Sequence, residues 1–311
     1  MTTVISVPAS LDDQTMETVF EQLAAAPGDA RLLIDARHTT WSSPFGLAAL
    51  LCVGQVVGNR ATFAIPEKDE TLSYWTRTGF FTHAAELFEL AGTPPRARGS
   101  RPTDVLLELT PIARADDVHT VVDRIQDRAQ EILQGQLGLE GKTTVGFAMT
   151  LSEVCQNIIE HAGRGGWVAV QSYSYKKRLN GRRVVQLAVC DAGVGFRTSL
   201  EPSAAARRND RWDDAEALSA AMLRSVSRFG ADSGRGHGLA GVRRWVGRWD
   251  GKMSIRSGTA RLVIQPNPSW EPEPPLTEKL AHFPGSQVQI SLVARVAPEA
   301  ARPDRSASAP W

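Results

Sequence analysis

"VCDAGVGF", Val189 to Phe196, closes an apolar, β-branched run on an aspartate and then alternates glycines with small side chains. The run that leads into it, "RVVQLAVCD", reads as a strand. Asp191 therefore stands at a strand end, where a carboxylate can accept a hydrogen bond from an exocyclic amine such as that of adenine. Gly193 and Gly195 would let the backbone approach a ligand closely. A plain turn after a strand has the same composition, so the motif takes its meaning from its neighbours.

Upstream lies "SEVCQNIIEHA", Ser152 to Ala162. On a helix, Ala148, Leu151, Cys155, Ile158 and Ala162 fall on one buried stripe, while Glu153, Asn157 and Glu160 share a second face. Such a face is common on solvated helices. It also suits a carboxylate that activates a hydroxyl or water, with an amide oxygen one turn later to hold Mg²⁺, which prefers hard oxygen ligands. Downstream, "SGRGHGLAGVRRWV" brings Gly234, Gly236 and Gly238 directly into a helical pattern of Leu239, Val242 and Val246. A glycine-rich lead-in aims free N–H groups and the positive end of the helix dipole at an anion, usually phosphate. The chain contains no G-x-x-x-x-G-K-[S/T] loop, and no strand, tight turn and helix follow one another as a dinucleotide fingerprint requires.

Around these landmarks, 311 residues favour two domains. Residues 1–92 alternate strand-like "TVISV", "RLLIDA" and "ATFAI" with helix-like "LDDQTMETVFEQLAAA", "PFGLAALLCVGQVV" and "AAELFEL", the pattern of a mainly parallel sheet with helices against it. "AGTPPRARGSRPTD" then marks a connector, with the linker at 93–103. The segment 104–296 reads as strand "VLLELTPI", a helix carrying Val118, Val121, Ile125, Ala129 and Ile132, the helix of Asn157, and strands "WVAVQSYSY" and "RVVQLAVCD" about an Asn180-Gly181 turn. An irregular insert, the glycine-led helix and the strands "KMSIRSG", "ARLVIQP" and "SQVQISLVARV" complete it. The expected fold class is α/β throughout, the second domain being a sandwich on a mixed, largely antiparallel sheet. Residues 297–311 read as a disordered tail.

A net charge of +1 carries no electrostatic footprint for nucleic acid or an anionic membrane. Cys52, Cys155 and Cys190 are scattered in apolar runs and read as reduced core residues. No signal pattern and no span of about 20 apolar residues is present, so a cytoplasmic location is expected, with neither nucleic acid nor membrane as partner.

Taken in order, "SEVCQNIIEHA", "VCDAGVGF", "GRGHGLAGV" and "PGSQVQISL" resemble the GHKL or Bergerat-fold ATPases, the group of histidine-kinase ATP-binding domains and anti-sigma-factor serine kinases. The resemblance spans nearly all of 104–296. It implies the cofactors ATP and Mg²⁺, held against one face of the sheet under a mobile lid. By similarity Asn157 would bind Mg²⁺, Asp191 would take the adenine amine, and Gly193, Gly195, Gly236 and Gly238 would line the nucleotide and lid. Gly285-Ser286 stands where such proteins usually carry Gly-Thr, with Thr259 of an earlier "SGT" as a rival. The lid would fall between Arg197 and Ser233, with Arg235 beside phosphate; His161 and His237 read as structural or hydrogen-bonding.

Residues 1–92 resemble a STAS domain, most clearly in "RLLIDARHTTWSSPFGLAALL" and "YWTRTGFF". Where the antagonists of that family show a serine pair before the glycine, this chain has Pro44 and Phe45 before Gly46; Ser43 then reads as an N-cap and Pro44 as the first helical residue. The resemblance implies a signalling serine/threonine protein kinase in which Glu153 is the catalytic base toward a partner's hydroxyl. The alternative is an ATP-gated protein-binding switch with little or no catalysis. Either implies a protein partner, a STAS-type antagonist or sigma-like regulator, and leaves room for a homodimer. A histidine kinase fits poorly, since His119 is followed by Thr120 and Val121 rather than an acid.

Overall fold

The computed structural model describes residues 2–58, 61–96, 105–129, 141–157, 162–174, 182–207, 211–223, 238–249, 251–266, 270 and 272–294. The elements in the first third are β1 (Thr2–Ser6), β2 (Ser10–Leu11), α1 (Met16–Ala25), β3 (Arg31–Asp35), β4 (Trp41–Ser42), α2 (Pro44–Val57), β5 (Ala61–Ala64), α3 (Asp69–Arg77), α4 (Phe80–Leu87) and β6 (Glu89–Ala91). Strands β1, β3, β5 and β6 pair in that order, all parallel, and β2 pairs with β4 beside them. The sheet is thus parallel, as the alternation of elements predicts.

One expectation fails here. "AAELFEL" is helical only as far as Leu87; Phe88 leaves the helix, and Glu89–Ala91 joins β5 as an edge strand. Phe88 is buried and packs its ring 5.2 Å from that of Phe63, so tertiary burial overrides the helical spacing. Ser43 does cap α2: its side chain accepts from the Gly46 N–H at 3.1 Å, and Pro44 follows in the first turn. Ser42 is buried too, accepting from the Trp75 indole N–H at 2.7 Å.

From Val105 the chain builds β7 (Val105–Ile112), α5 (Ala115–Ala129), α6 (Gly141–Asn157), β8 (Gly166–Ser174), β9 (Arg183–Asp191), α7 (Gly195–Leu200), α8 (Ala204–Arg207), α9 (Asp214–Leu223), α10 (Gly238–Arg248), β10 (Lys252–Gly258), β11 (Ala260–Ile264), β12 (Leu276–Thr277) and β13 (Phe283–Val293). The sheet order is β12-β11-β10-β13-β9-β8-β7. Every one of its pairings is antiparallel, where a mixed sheet was expected. The last strand causes this: β13 inserts between β9 and β10 and runs opposite to both.

Helices α5, α6, α9 and α10 cover one face of this sheet over Val185, Leu187, Val189, Met253, Ile255, Val288, Ile290 and Leu292. On α6 the predicted stripe is buried at Ala148, Leu151 and Cys155, while Glu153 and Asn157 are half-buried; Ile158 and Glu160 lie outside the described residues. The insert expected to form a lid is, in its described part, mostly helical scaffold: α9 buries Ala217, Leu218, Ala220 and Met222 against the same core. Residues 208–210 and 224–233 of that insert lie outside the described residues.

The opposite face is covered as well. Helix α2 packs across β8 and β9, and a second core joins Phe45, Leu47 and Cys52 to Trp167, Ala169, Ala188, Cys190 and Phe283. The N-terminal segment is therefore seated on the sheet. Phe20 stacks on Phe283 at 4.2 Å, and Arg256 spans the seam, donating to the Glu17 carboxylate at 2.9 and 3.1 Å. Among the described residues no helix is long and apolar enough to cross a membrane. The predicted linker falls largely outside the described residues, and the tail wholly so.

Candidate functional site

Strand β9 ends on Asp191, and the chain turns at once. The Gly193 N–H bonds back to Asp191 Oδ1 at 2.8 Å, and the Val194 N–H reaches the carbonyl of Ala162 at 3.0 Å. The turn lies so close to Ala162 that a Cβ at position 193 would stand 2.0 Å from that carbonyl oxygen. From the other side comes the start of β13, where the Ser286 hydroxyl donates to Asp191 Oδ2 at 2.5 Å. This approach demands glycine at 285: its φ is +80°, and a Cβ there would sit 2.2 Å from the Asp191 carbonyl oxygen.

These elements line a narrow, partly open cavity. Asn157, at the end of α6, forms part of its wall with Asp191, Gly195 and Ser286; Ala162, Phe196 and Ser199 complete it. The Asn157 amide donates an N–H to the Glu153 carbonyl at 2.9 Å, which orients the side chain.

Asp191 is only 1% exposed. Burial pushes its carboxyl up to about 6, against the Ser286 hydroxyl and the Gly193 and Ser286 N–H groups, which favour the anion. A carboxylate so placed is poised to accept a donor from whatever enters the cavity. The three cysteine thiols are likewise pushed up by burial and are free, so none is an activated nucleophile. Among the described residues no group of three His, Cys, Asp or Glu side chains could hold a metal.

Of the residues singled out from sequence, Asn157, Asp191, Gly195 and Ser286 meet in this one cavity, and Gly193 shapes it from behind Asp191. Glu153 sits one turn before Asn157 and is not among the described lining residues. Gly238 opens α10, whereas Arg235 and Gly236 lie outside the described residues. Thr259, the rival hydroxyl, donates to Asp214 Oδ2 at 2.8 Å, whereas Ser286 bonds to Asp191. Phe196 and Ser199 were not foreseen. Phe196 stood inside the quoted motif, while Ser199 carries no sequence signal. Comparison with protein-family models finds no match to this chain, and comparison with curated proteins likewise finds none.

Proposed function

We propose that the segment 104–296 is a Bergerat-type nucleotide-binding domain, similar to the GHKL ATPases, which takes ATP with Mg²⁺ at the Asp191 cavity. The observation that carries this reading is Asp191 itself: a buried carboxylate on a cavity wall, braced by a hydroxyl and two backbone donors. Buried carboxylates of this kind are costly and are kept where a ligand needs them. Its oxygens have acceptor capacity beyond the bonds they already receive, as an exocyclic amine requires. Asn157 would offer its amide oxygen to Mg²⁺, and Gly238 at the start of α10 would help hold the phosphates. Bound Mg-ATP would supply a transferable phosphoryl group with its charge offset by the cation.

The chain is then a cytoplasmic signalling protein acting on a protein partner. As a kinase of the anti-sigma-factor type, it would use Glu153 to draw the proton from a partner's serine or threonine hydroxyl. The second reading, an ATP-gated switch, is favoured by the STAS-like segment: Ser42 and Ser43 are buried and bonded, and their helix faces the sheet. Equilibrium titration of the full chain with ATP tests the binding claim. Affinity should rise with Mg²⁺, and Asn157→Ala should remove that rise; identical affinities with and without Mg²⁺ would refute the cation's assignment. Labelled ATP separates the two outputs, since phosphoprotein that vanishes in Glu153→Ala is kinase activity, whereas partner binding that survives it is the switch.

A further inference from the structure

Ser257 belongs to no motif role assigned so far, yet it is 1% exposed and uses both hydrogen-bonding capacities of its hydroxyl. The oxygen accepts the Phe196 N–H at 3.0 Å and donates to the Gly285 carbonyl at 2.9 Å. Those two backbone groups belong to two different segments that line the Asp191 cavity. One is the turn through Gly193 and Gly195; the other is the strand start that presents Ser286 to Asp191. We infer that Ser257 is a positioning residue of this cavity, fixing the distance between these two segments.

The clamp is held from several sides. Gly195 has φ +72°, and a Cβ there would lie 2.7 Å from the Ser257 hydroxyl, so the turn already rests on that oxygen. Ser257 pairs with Ser286 in register, and the register shifts immediately after it. On the other face of the strand, Arg256 donates to Glu17 and to the Gly258 carbonyl, the latter at 3.0 Å. One residue further, Thr259 is tied through N–H and hydroxyl to Asp214, both at 2.8 Å. A side chain whose neighbours are anchored in this way transmits position rather than absorbing it. With the hydroxyl removed, the turn and the strand start lose this tie and are held to each other through Asp191, which takes the Gly193 N–H and the Ser286 hydroxyl. The seat of Ser286 against Asp191 is then loosened.

The consequence for ligand rests on the nucleotide reading above, so the test has two arms, both on the full chain. In the first, without nucleotide, amide exchange is followed at Gly193, which bonds to Asp191 and not to Ser257. Ser257→Ala should speed it about tenfold or more, while Ser254→Ala, which removes another buried serine from the same strand, should not. In the second, Mg-ATP affinity should fall about tenfold in Ser257→Ala, or about 1.4 kcal/mol, and stay within twofold in Ser254→Ala. Unchanged Gly193 exchange overturns the inference. So does a Ser257→Ala chain whose exchange rises only in step with global unfolding in urea, or which fails to fold, because Ser257 is then a fold residue. If the wild-type chain shows the exchange contrast but does not bind Mg-ATP, the nucleotide reading fails and the positioning role stands.

Discussion

The two faces of the seven-stranded sheet are both buried, but they are built of different chemistry. Toward α5, α6, α9 and α10 the strands present Val, Leu, Ile and Met. Toward the N-terminal segment, β9, β10, β11 and β13 present Gln186, Lys252, Ser254, Arg256, Arg261, Gln287, Gln289 and Ser291, all buried, with the small patch of Trp167, Ala169, Ala188 and Cys190 beside them. Burial on the first face follows from apolar area alone. On the second it depends on partners: Glu17 and the Phe20 ring on Arg256, Asp13 on Lys252 at 3.6 Å and on Arg261 through its carbonyl at 3.1 Å, and Glu273 on Lys252 and Arg261. Hydrophobic contact fixes little about register, whereas charged pairs do, so the polar face specifies where the N-terminal segment sits. The difference also explains the site's place. The Asp191 cavity opens on the apolar side, where the carboxylate is desolvated.

The contrast can be broken most severely at Arg256. Arg256→Ala removes a buried guanidinium, leaves the partly buried Glu17 without its partner, and should cost about 3 to 5 kcal/mol in urea unfolding. Glu17→Gln with Arg256→Met should recover most of this loss; equal destabilisation by both variants would mean that the pair matters for packing and not for charge. On the apolar face, Ile290→Ala empties a fully packed position and should cost about 2 to 5 kcal/mol, with no rescue by a polar partner.

Asp191 gives the next effect, through pH. Its carboxyl lies near 3.8 in the unfolded chain and near 6 in the folded one, so the fold binds the proton more tightly. The contribution of this group to stability is therefore greatest below about pH 4 and declines up to about pH 6, by an order of 3 kcal/mol. Subtracting the stability profile of Asp191→Asn from that of the wild type should expose this fall; a flat difference from pH 4 to 7 would show that the carboxyl is not desolvated. The smallest effect is expected at Gln289, whose side-chain oxygen is buried without a partner among the described residues. Gln289→Met should be neutral or stabilising by about 1 kcal/mol in the same unfolding measurement.

Much of this was legible in the sequence because local chemistry decided it. Ser43-Pro44 announced a helix start, the stripe of Ala148, Leu151 and Cys155 announced a core face, and Asp191 with its glycines announced a strand end that must turn tightly. The N-terminal cover was not legible. A strand with apolar residues on alternate positions and glutamine, serine or arginine between them is the pattern of a sheet with one wet face. Nothing local in Arg256 says that Glu17, 239 residues away in the chain, will meet it. Ser257 was hidden for a related reason: its partners Phe196 and Gly285 lie 61 and 28 residues away in the chain. The edge strand after Leu87 was lost to a helical spacing that continued past the point where Phe88 found its core.

The central claim is that Asp191 reads a nucleotide base in the cavity it shares with Asn157 and Ser286. Thermal melting of the full chain at neutral pH, with and without millimolar Mg-ATP, meets it directly, because a ligand that binds only the folded state raises the melting temperature by mass action. The wild-type chain should melt several degrees higher with Mg-ATP, and Asp191→Asn, folded but without the carboxylate, should not move. A wild-type chain indifferent to Mg-ATP, or an Asp191→Asn chain that shifts as far as the wild type, would contradict the assignment.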